Sequence, residues 1–445
     1  MEEKMRTRQE ILDTIEAEDV EFIRLQFTDV FGTLKNIAVT AGQMERALDN
    51  KVTFNGSFLY GDQKADGEDL YLHPDLDSFV ILPWRPQQGK VARLLCDVCR
   101  ADGTFLAESP RQILKQTLKQ TSEKGYTFYV HPECEFFLFH TDENGIPTTV
   151  THDQAGYMDI APLDLGENAR RDMVLTLEEM GFQVESSHHE KAPAQHEIDF
   201  AYAKAMETAD QIVTFKTAVR SIAKRFGLHA TFMPKPRAGT AGSGMHLNIT
   251  LFRDGKNVFA DPDKEDGLSD EARWFVGGVM RHVRAICAVT NPLVNSYKRL
   301  MSGFDAPRDI IWTVKNRNAL IRIPSVRGEE TGVELRFPDP SANPYLALAV
   351  CLAAGIEGME QKIEPGALAK DVPENMTEEE KAAAGIDRLP ETLWEAAAAM
   401  EKDDFMKRVL GEEFVRLYAA GRQAEWNEYM SQVSEWEVEK YLYRT

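Results

Sequence analysis

Three short stretches of this 445-residue chain alternate bulky apolar residues with residues that bind metal or phosphate. In a β-strand, residues two apart share a face. His131-Pro132-Glu133-Cys134-Glu135-Phe136-Phe137-Leu138-Phe139 therefore aims Glu133 and Glu135 the same way. His246-Leu247-Asn248-Ile249-Thr250-Leu251 sets its polar residues on one face and its aliphatic residues on the other. In Val333-Glu334-Leu335-Arg336-Phe337, Glu334 and Arg336 share a face against three apolar neighbours. A fourth segment, from His188-His189-Glu190 to Gln195-His196-Glu197, supplies two more carboxylates. Five glutamates and a histidine suit two hard divalent cations, each with positions left open for phosphate oxygens. Any one strand alone reads equally well as a half-exposed strand with a polar outer face. His246 alone reads as a satisfied core histidine, and the glycine-rich run Gly239–Met245 before it as a plain loop. The ligand-rich character of all the segments together is what favours chemistry over packing.

Composition bounds the class. The length exceeds what one core usually supports, so two domains are expected. Hydrophobic content of 43% and charged content of 28% are those of a globular protein. Lysine and arginine number 51 against 72 acids, a net charge of -21 that argues against a nucleic-acid partner. No apolar run approaches the roughly 20 residues of a membrane span, and Met1–Arg6 lacks a signal-peptide core. A cytoplasmic enzyme fits these observations. Cys96-Asp97-Val98-Cys99 could be a redox or metal pair, but Val91–Leu95 leads into it as a strand and no second pair follows. All five cysteines are expected to be reduced and structural.

The first hundred residues read as a small α+β unit. Arg8 to Glu18 has helical period with Ile11, Leu12 and Ile15 apolar, and Val20 to Phe27 alternates as a strand. Asn55 to Asp69 is polar and glycine-dotted, which predicts a loop. Ser109-Pro110 is expected to cap the next helix, and the domain boundary falls near residues 103 to 108. Further on, Ser269 to Val289 carries Phe275, Val279, Val283 and Ile286 at helical spacing, a core face. Thr377 to Glu380 has capping-box form, and Glu391 to Met400 is an alanine-rich helix. The charges of Glu378 to Lys381 read as solvated.

Several ordered motifs now coincide. Gly242-Ser243-Gly244-Met245-His246, Asn291-Pro292 with Asn295–Arg299, Asn316-Arg317 with Ile321–Pro324, and Asp339–Tyr345 resemble glutamine synthetases of the bacterial type I class. The resemblance runs end to end with no large insertion, like the shorter form of Gram-positive bacteria. It implies an α+β chain: a β-grasp N-terminal domain, residues 1–105, and a C-terminal catalytic domain with a curved antiparallel sheet, residues 106–445. It also implies ATP as co-substrate and Mg2+ or Mn2+ as cofactor. Amide formation from a carboxylate needs a leaving group, which ATP supplies as an acyl phosphate. Phosphoryl transfer depends mainly on positioning and charge neutralisation.

Carried over residue by residue, Glu135, Glu190 and Glu197 match ligands of the metal nearer glutamate. Glu133, His246 and Glu334 match those of the metal bridging the nucleotide phosphates. Arg299 matches the arginine on the substrate α-carboxylate, a bidentate task. Arg317, Arg322 and Arg336 match arginines around the transferred phosphoryl group, and Gly242 a backbone contact to the substrate amino group. Glu185, Tyr202, Asn248 and Thr250, together with Arg322, are carried over as nucleotide-site positions. Each arginine alone would read as a surface ion pair; four at family spacing favour function.

Departures cluster in the amine pocket. The family's Asp-Gly-Ser-Ser run is here Asn55-Gly56-Ser57-Phe58, and asparagine cannot take a proton at neutral pH. The flap glutamate of Gly-Tyr-Glu-Ala-Pro is here Asp305 in Gly303-Phe304-Asp305-Ala306-Pro307. Tyr157 and Glu190 are retained as pocket members. Ala241 stands where the family has asparagine, and Gly332 where it has a nucleotide-contacting arginine. Losing a charge-assisted contact of about 1.5–3 kcal/mol would weaken ammonium binding tens- to hundreds-fold.

Three readings follow: a glutamine synthetase, a γ-glutamyl ligase for an organic amine packed on Phe58, or a regulatory paralogue. The resemblance also implies a ring homo-oligomer, a dodecamer of two hexamers, in which the Asn55 loop completes a neighbour's site. Trp436 to Tyr443 resembles the tail that joins rings, and Lys64 lies near the position of a regulatory arginine.

Overall fold

The computed structural model describes residues 6–61, 67–301, 303–314, 316–366 and 376–444. Lys64 lies outside them. The chain opens on the helix Arg8–Ala17, started by a capping box in which Thr7 and Glu10 satisfy each other's backbone. Its Ile11 and Ile15 are buried on a six-stranded sheet. There Val20–Thr28 pairs in parallel with Lys90–Cys99, and antiparallel with Leu34–Thr40. Asp69–Pro74 and the short edge strand Thr53–Asn55 complete the other side. One helix gripped by a mixed sheet is the expected β-grasp arrangement.

The second sheet has eleven strands. Its spine runs from Trp312–Thr313 through Ile321–Arg322, Val333–Leu335, Met245–Arg253, Tyr126–Thr141 and Gln195–Phe200 to Val184–His189. All neighbours along it are antiparallel except the first pair. The expected curved antiparallel sheet is thus present, with one parallel pair at its edge.

Helices cover the sheet's apolar side. Asp270–Thr290 starts where the Ser269 hydroxyl accepts from the Ala272 backbone, and it buries Phe275, Val279, Val283 and Ile286 completely. It lies against Pro344–Gln361 through glycines. A methyl on Gly278 would stand 2.1 Å from the Ala354 carbonyl oxygen, and one on Gly355 would strike the Phe275 ring at 1.9 Å. Overpacking of this kind typically costs about 1–3 kcal/mol. These contacts hold the helix pair, and hence the sheet above it, in one arrangement.

Several local readings are corrected. Ser109 sits at the N-cap of Pro110–Ser122 but its side chain makes no capping bond; the proline supplies the helical start. The segment after Asn55 is no featureless loop, because Gly56–Tyr60 is a 3-10 turn capped by the Asn55 side chain, which accepts from the Ser57 amide. The alanine-rich helix begins at Leu393, with Thr392 as its cap. Lys381 is not solvated: it is buried, with its ammonium 2.7 Å from Asp309. All five cysteines are free and buried. Among the described residues, no helix is long and apolar enough to cross a membrane.

Candidate active site

Strand register gathers the acidic residues. Glu133 lies opposite His246, Arg322 and Asn248 both opposite Glu334, and Glu135 opposite Glu197. Directly opposed residues on one face sit about 4.5–5.5 Å apart at Cβ, so five strands deliver their polar faces to one cleft. The hairpin of Val184–His189 and Gln195–Phe200 adds Glu190 beyond the end of its first strand.

Two groups of ligand atoms form there. Glu133, His246 and Glu334 make one, with each ligand atom within 4.8 Å of the others. His188, Glu190 and Glu197 make the second on the same criterion. The first matches the expected triad. In the second, His188 stands 3.7 Å from Glu190 and 3.8 Å from Glu197. Glu135 lines the same cleft, with its carboxylate accepting from the Gln195 amide at 2.7 Å and the Gly244 backbone at 2.9 Å. His188 was not singled out as a site residue; its place next but one to Glu190 was the available signal.

Burial and mutual repulsion set the electrostatics of the cleft. Burial, then the neighbouring Glu190, pushes Glu135 up to about 8. Glu197 is raised well above the usual carboxylate range by burial and by Asp199, Glu135, Glu133 and Glu190. Burial also raises Glu190. Burial raises Glu133 too, but bonds from His246 and Asn248 outweigh it and hold that carboxyl well below its ordinary value. His246 is lowered by burial and by Arg336, which favours the neutral imidazole a metal needs. Buried carboxylates that crowd one another, beside a neutral imidazole, form a donor set suited to hard divalent cations. When bound, such ions neutralise phosphate oxygens and polarise the phosphoryl group.

The arginines ring this cleft. Arg336 donates to Glu334 and, at 2.6 Å, to the Arg317 carbonyl. Arg322 pairs with the other oxygen of Glu334. Arg299 is almost wholly buried and anchored on the carbonyls of Phe337 at 2.9 Å and Arg336 at 3.0 Å. Arg299, Arg317, Arg336, Gly242, Ala241, Tyr157 and Asp305 line one cavity of about 60 Å³ with the acidic groups. Gly242 must lack a side chain, since a methyl there would meet the Pro234 carbonyl oxygen at 2.2 Å.

The nucleotide-site positions divide. Tyr202 and Thr250 line a separate open cavity of about 490 Å³, with Tyr129, Phe252 and Glu330 also in its wall. Gly332 borders it: a methyl there would lie 3.3 Å from Thr250 and 3.6 Å from the Tyr202 hydroxyl. Asn248 instead donates to Glu133 at 2.8 Å, so it orients a carboxylate. Glu185 is half exposed and stands 3.7 Å from His131, whose ring meets that of Tyr202. Asn55 and Phe58 are not among the residues lining the cleft; they sit at the edge of the N-terminal sheet, with Phe58 58% exposed.

Behind the hairpin lies a buried polar cluster that sequence reasoning did not single out. His152, Asp153, Asp164 and His196 bring four potential ligand atoms together. Arg170 excludes a cation there in this arrangement. A guanidinium only donates, and it stands 2.9 Å from His196 Nδ1. That nitrogen accepts, so Nε2 carries the proton of the neutral ring and has no lone pair for a metal. Asp153 accepts from His189 at 3.3 Å and from the Ala194 backbone at 2.9 Å. The cluster braces the hairpin that presents Glu190 and Glu197.

Comparison with known proteins settles the family. Residues 107–441 match the family model for the glutamine synthetase catalytic domain, and residues 19–101 that for its β-grasp domain. The chain belongs to the glutamine synthetase family. It is 54% identical to a glutamine synthetase of Clostridium saccharobutylicum and 50% identical to one of Staphylococcus aureus strain N315. Each comparison covers 98% of both chains. Among solved structures it resembles a GmaS/ADP complex at 33% identity with a TM-score of 0.88, and GmaS without ligand at 32% and 0.86. Both cover 97% of this chain and 99% of the other. The chain is therefore an ATP-dependent ligase of a family that uses ATP and a divalent metal.

Proposed function

We propose that this enzyme joins the γ-carboxylate of glutamate to a small primary amine or ammonia, with an organic amine as the preferred nucleophile. The observation that carries the reading is the single cleft in which two metal-competent acidic groups meet Arg299, Arg317 and Arg336. Arg299 would hold the α-carboxylate and Gly242 the amino group. Arg317, Arg322 and Arg336 would neutralise charge on the transferred phosphoryl group, the form of catalysis this reaction demands. Glu133, His246 and Glu334 would hold one divalent ion; Glu135, Glu190 and Glu197 another, with Mg2+ or Mn2+ suiting the oxygen-rich sets. Tyr202 and Thr250 would contact the nucleotide.

The amine preference rests on the weakened charge of the pocket, which loosens its hold on ammonium, and on the exposed Phe58, against which the carbon chain of an organic amine would pack. Asn55 is uncharged, and Asp305 is already paired with Lys191. A small hydrated ammonium ion therefore meets weaker charge than an aspartate and a free glutamate would offer. The competing reading, an ammonia-using glutamine synthetase, draws support from relatives of that name at 50–54% identity. We place the domains at residues 1–105 and 106–445, in the cytoplasm. We also propose a ring homo-oligomer, a dodecamer, in which the exposed Asn55–Phe58 turn completes a neighbour's cleft. Glutamate-dependent ADP release, compared between ammonia and a panel of primary amines, tests the nucleophile. Highest kcat/KM with ammonia would overturn the amine preference.

A further inference from the structure

Lys191 lines the cleft, and the scheme above gives it no contact with substrate. It follows Glu190 directly, and its backbone amide donates to the Glu190 carboxylate at 3.0 Å. Its side chain lines the cleft and places its ammonium on Asp305. Asp305 itself has φ of 51°, a left-handed conformation that aspartate adopts more readily than most non-glycine residues. The pocket for the nucleophile thus already contains a cation, tethered to the protein and seated on the carboxylate that should receive the substrate amine.

Free ammonium, or an alkylammonium ion, would have to share the Asp305 carboxylate with Lys191 or displace it. The displaced lysine would then stand unpaired beside a second positive charge. A zwitterion has no such penalty. Its ammonium pairs with Asp305 while its own carboxylate pairs with Lys191, so one internal ion pair is exchanged for two with the substrate. Lys191 and Asp305 are each between a third and a half exposed, and ion pairs so placed are weak and open readily.

We propose that Lys191 selects, as nucleophile, an amine that bears its own carboxylate: an amino acid whose amino group becomes γ-glutamylated. This rests on the ligase reading above and narrows its substrate. The chemistry balances without a further reactant. ATP transfers its terminal phosphoryl group to the glutamate γ-carboxylate and leaves as ADP. The substrate ammonium gives one proton to Asp305, and the freed nitrogen lone pair attacks the γ-carbonyl carbon. The carbon–nitrogen bond forms, the carbon–oxygen bond to phosphate breaks, and inorganic phosphate departs as the nitrogen loses its second proton to solvent. The product is a γ-glutamyl amino acid.

The test uses matched pairs of nucleophiles with the purified full chain, glutamate, ATP and Mg2+: glycine against ethylamine, β-alanine against n-propylamine, and ammonium. ADP release and product mass are read together. The carboxylated member of each pair is expected to show about two- to fivefold higher kcat/KM. In Lys191→Met the preference should vanish through the KM of the amine, with the KM of glutamate moving less. Lys191→Arg should keep the preference, and Lys191→Glu should turn it toward the alkylamines. Equal or better use of ammonium or alkylamines by the unaltered enzyme overturns the proposal and leaves the ligase reading standing. An equal loss of kcat with every nucleophile in Lys191→Met also overturns it, assigning Lys191 to phosphoryl transfer. No ADP release with any nucleophile overturns both readings.

Discussion

Replacing Arg336 with alanine should separate the chemistry of this cleft from its architecture. The side chain is almost wholly buried and makes two charge-assisted contacts, to Glu334 and to the Arg317 carbonyl. Breaking a buried pair by removing one partner typically costs about 3–5 kcal/mol. Here Glu334 keeps Arg322 on its other oxygen, so the cost should fall to about 2–3 kcal/mol. In a chain of this size that lowers Tm by only a few degrees. The loss in rate should be much larger. An arginine that neutralises a transferring phosphoryl group is worth about 10³–10⁵ in kcat, or roughly 4–7 kcal/mol of barrier. Arg336→Lys keeps the charge but loses the fork that reaches both partners, and should fall between. Single-turnover ADP formation reads the chemistry, and thermal denaturation with oligomer size reads the fold. Turnover of Arg336→Ala within tenfold of the unaltered enzyme would refute its placement at the phosphoryl group.

Other outcomes follow from the same structure. Glu135, raised to about 8, and the raised Glu190 and Glu197 bind protons more tightly folded than unfolded. Their contribution to metal-free stability is therefore full below about 4.5 and is lost as pH rises from there towards 8. Metal-free Tm should fall from pH 5 to pH 8, and Mg2+ should restore it with proton release measurable by calorimetry in buffers of different ionisation heat; a flat Tm with no buffer dependence would contradict the assignment. Lys381→Met leaves Asp309, among the described residues, with Arg388 3.7 Å away, and should cost about 2–3 kcal/mol in denaturant unfolding. An effect under 0.5 kcal/mol would mean that the pair is dispensable. Asn55→Asp with Phe58→Ser should raise kcat/KM for ammonium, because an aspartate can still accept from the Ser57 amide while adding charge. No gain would remove the turn from the amine site.

The amino-acid order alone carried the face of each strand. Period-two alternation places Glu133 with Glu135 and Glu334 with Arg336 whatever the strands pair with, because successive side chains must point oppositely. The helix Asp270–Thr290 was equally legible, since its core residues recur at helical spacing and Ser269 marks its start. Local pattern says nothing about register or sheet order, which depend on pairings between segments tens to more than a hundred residues apart. Only the folded sheet sets Glu135 opposite Glu197, and His246 opposite Glu133. Burial reversed the reading of Lys381, whose charged neighbours in sequence suggested solvent but whose partner, Asp309, lies 72 positions away. Lys191 gives the clearest case. In the sequence it is one lysine among many; the fold brings to it an aspartate 114 positions away, and that contact turns an ordinary turn residue into part of the substrate pocket.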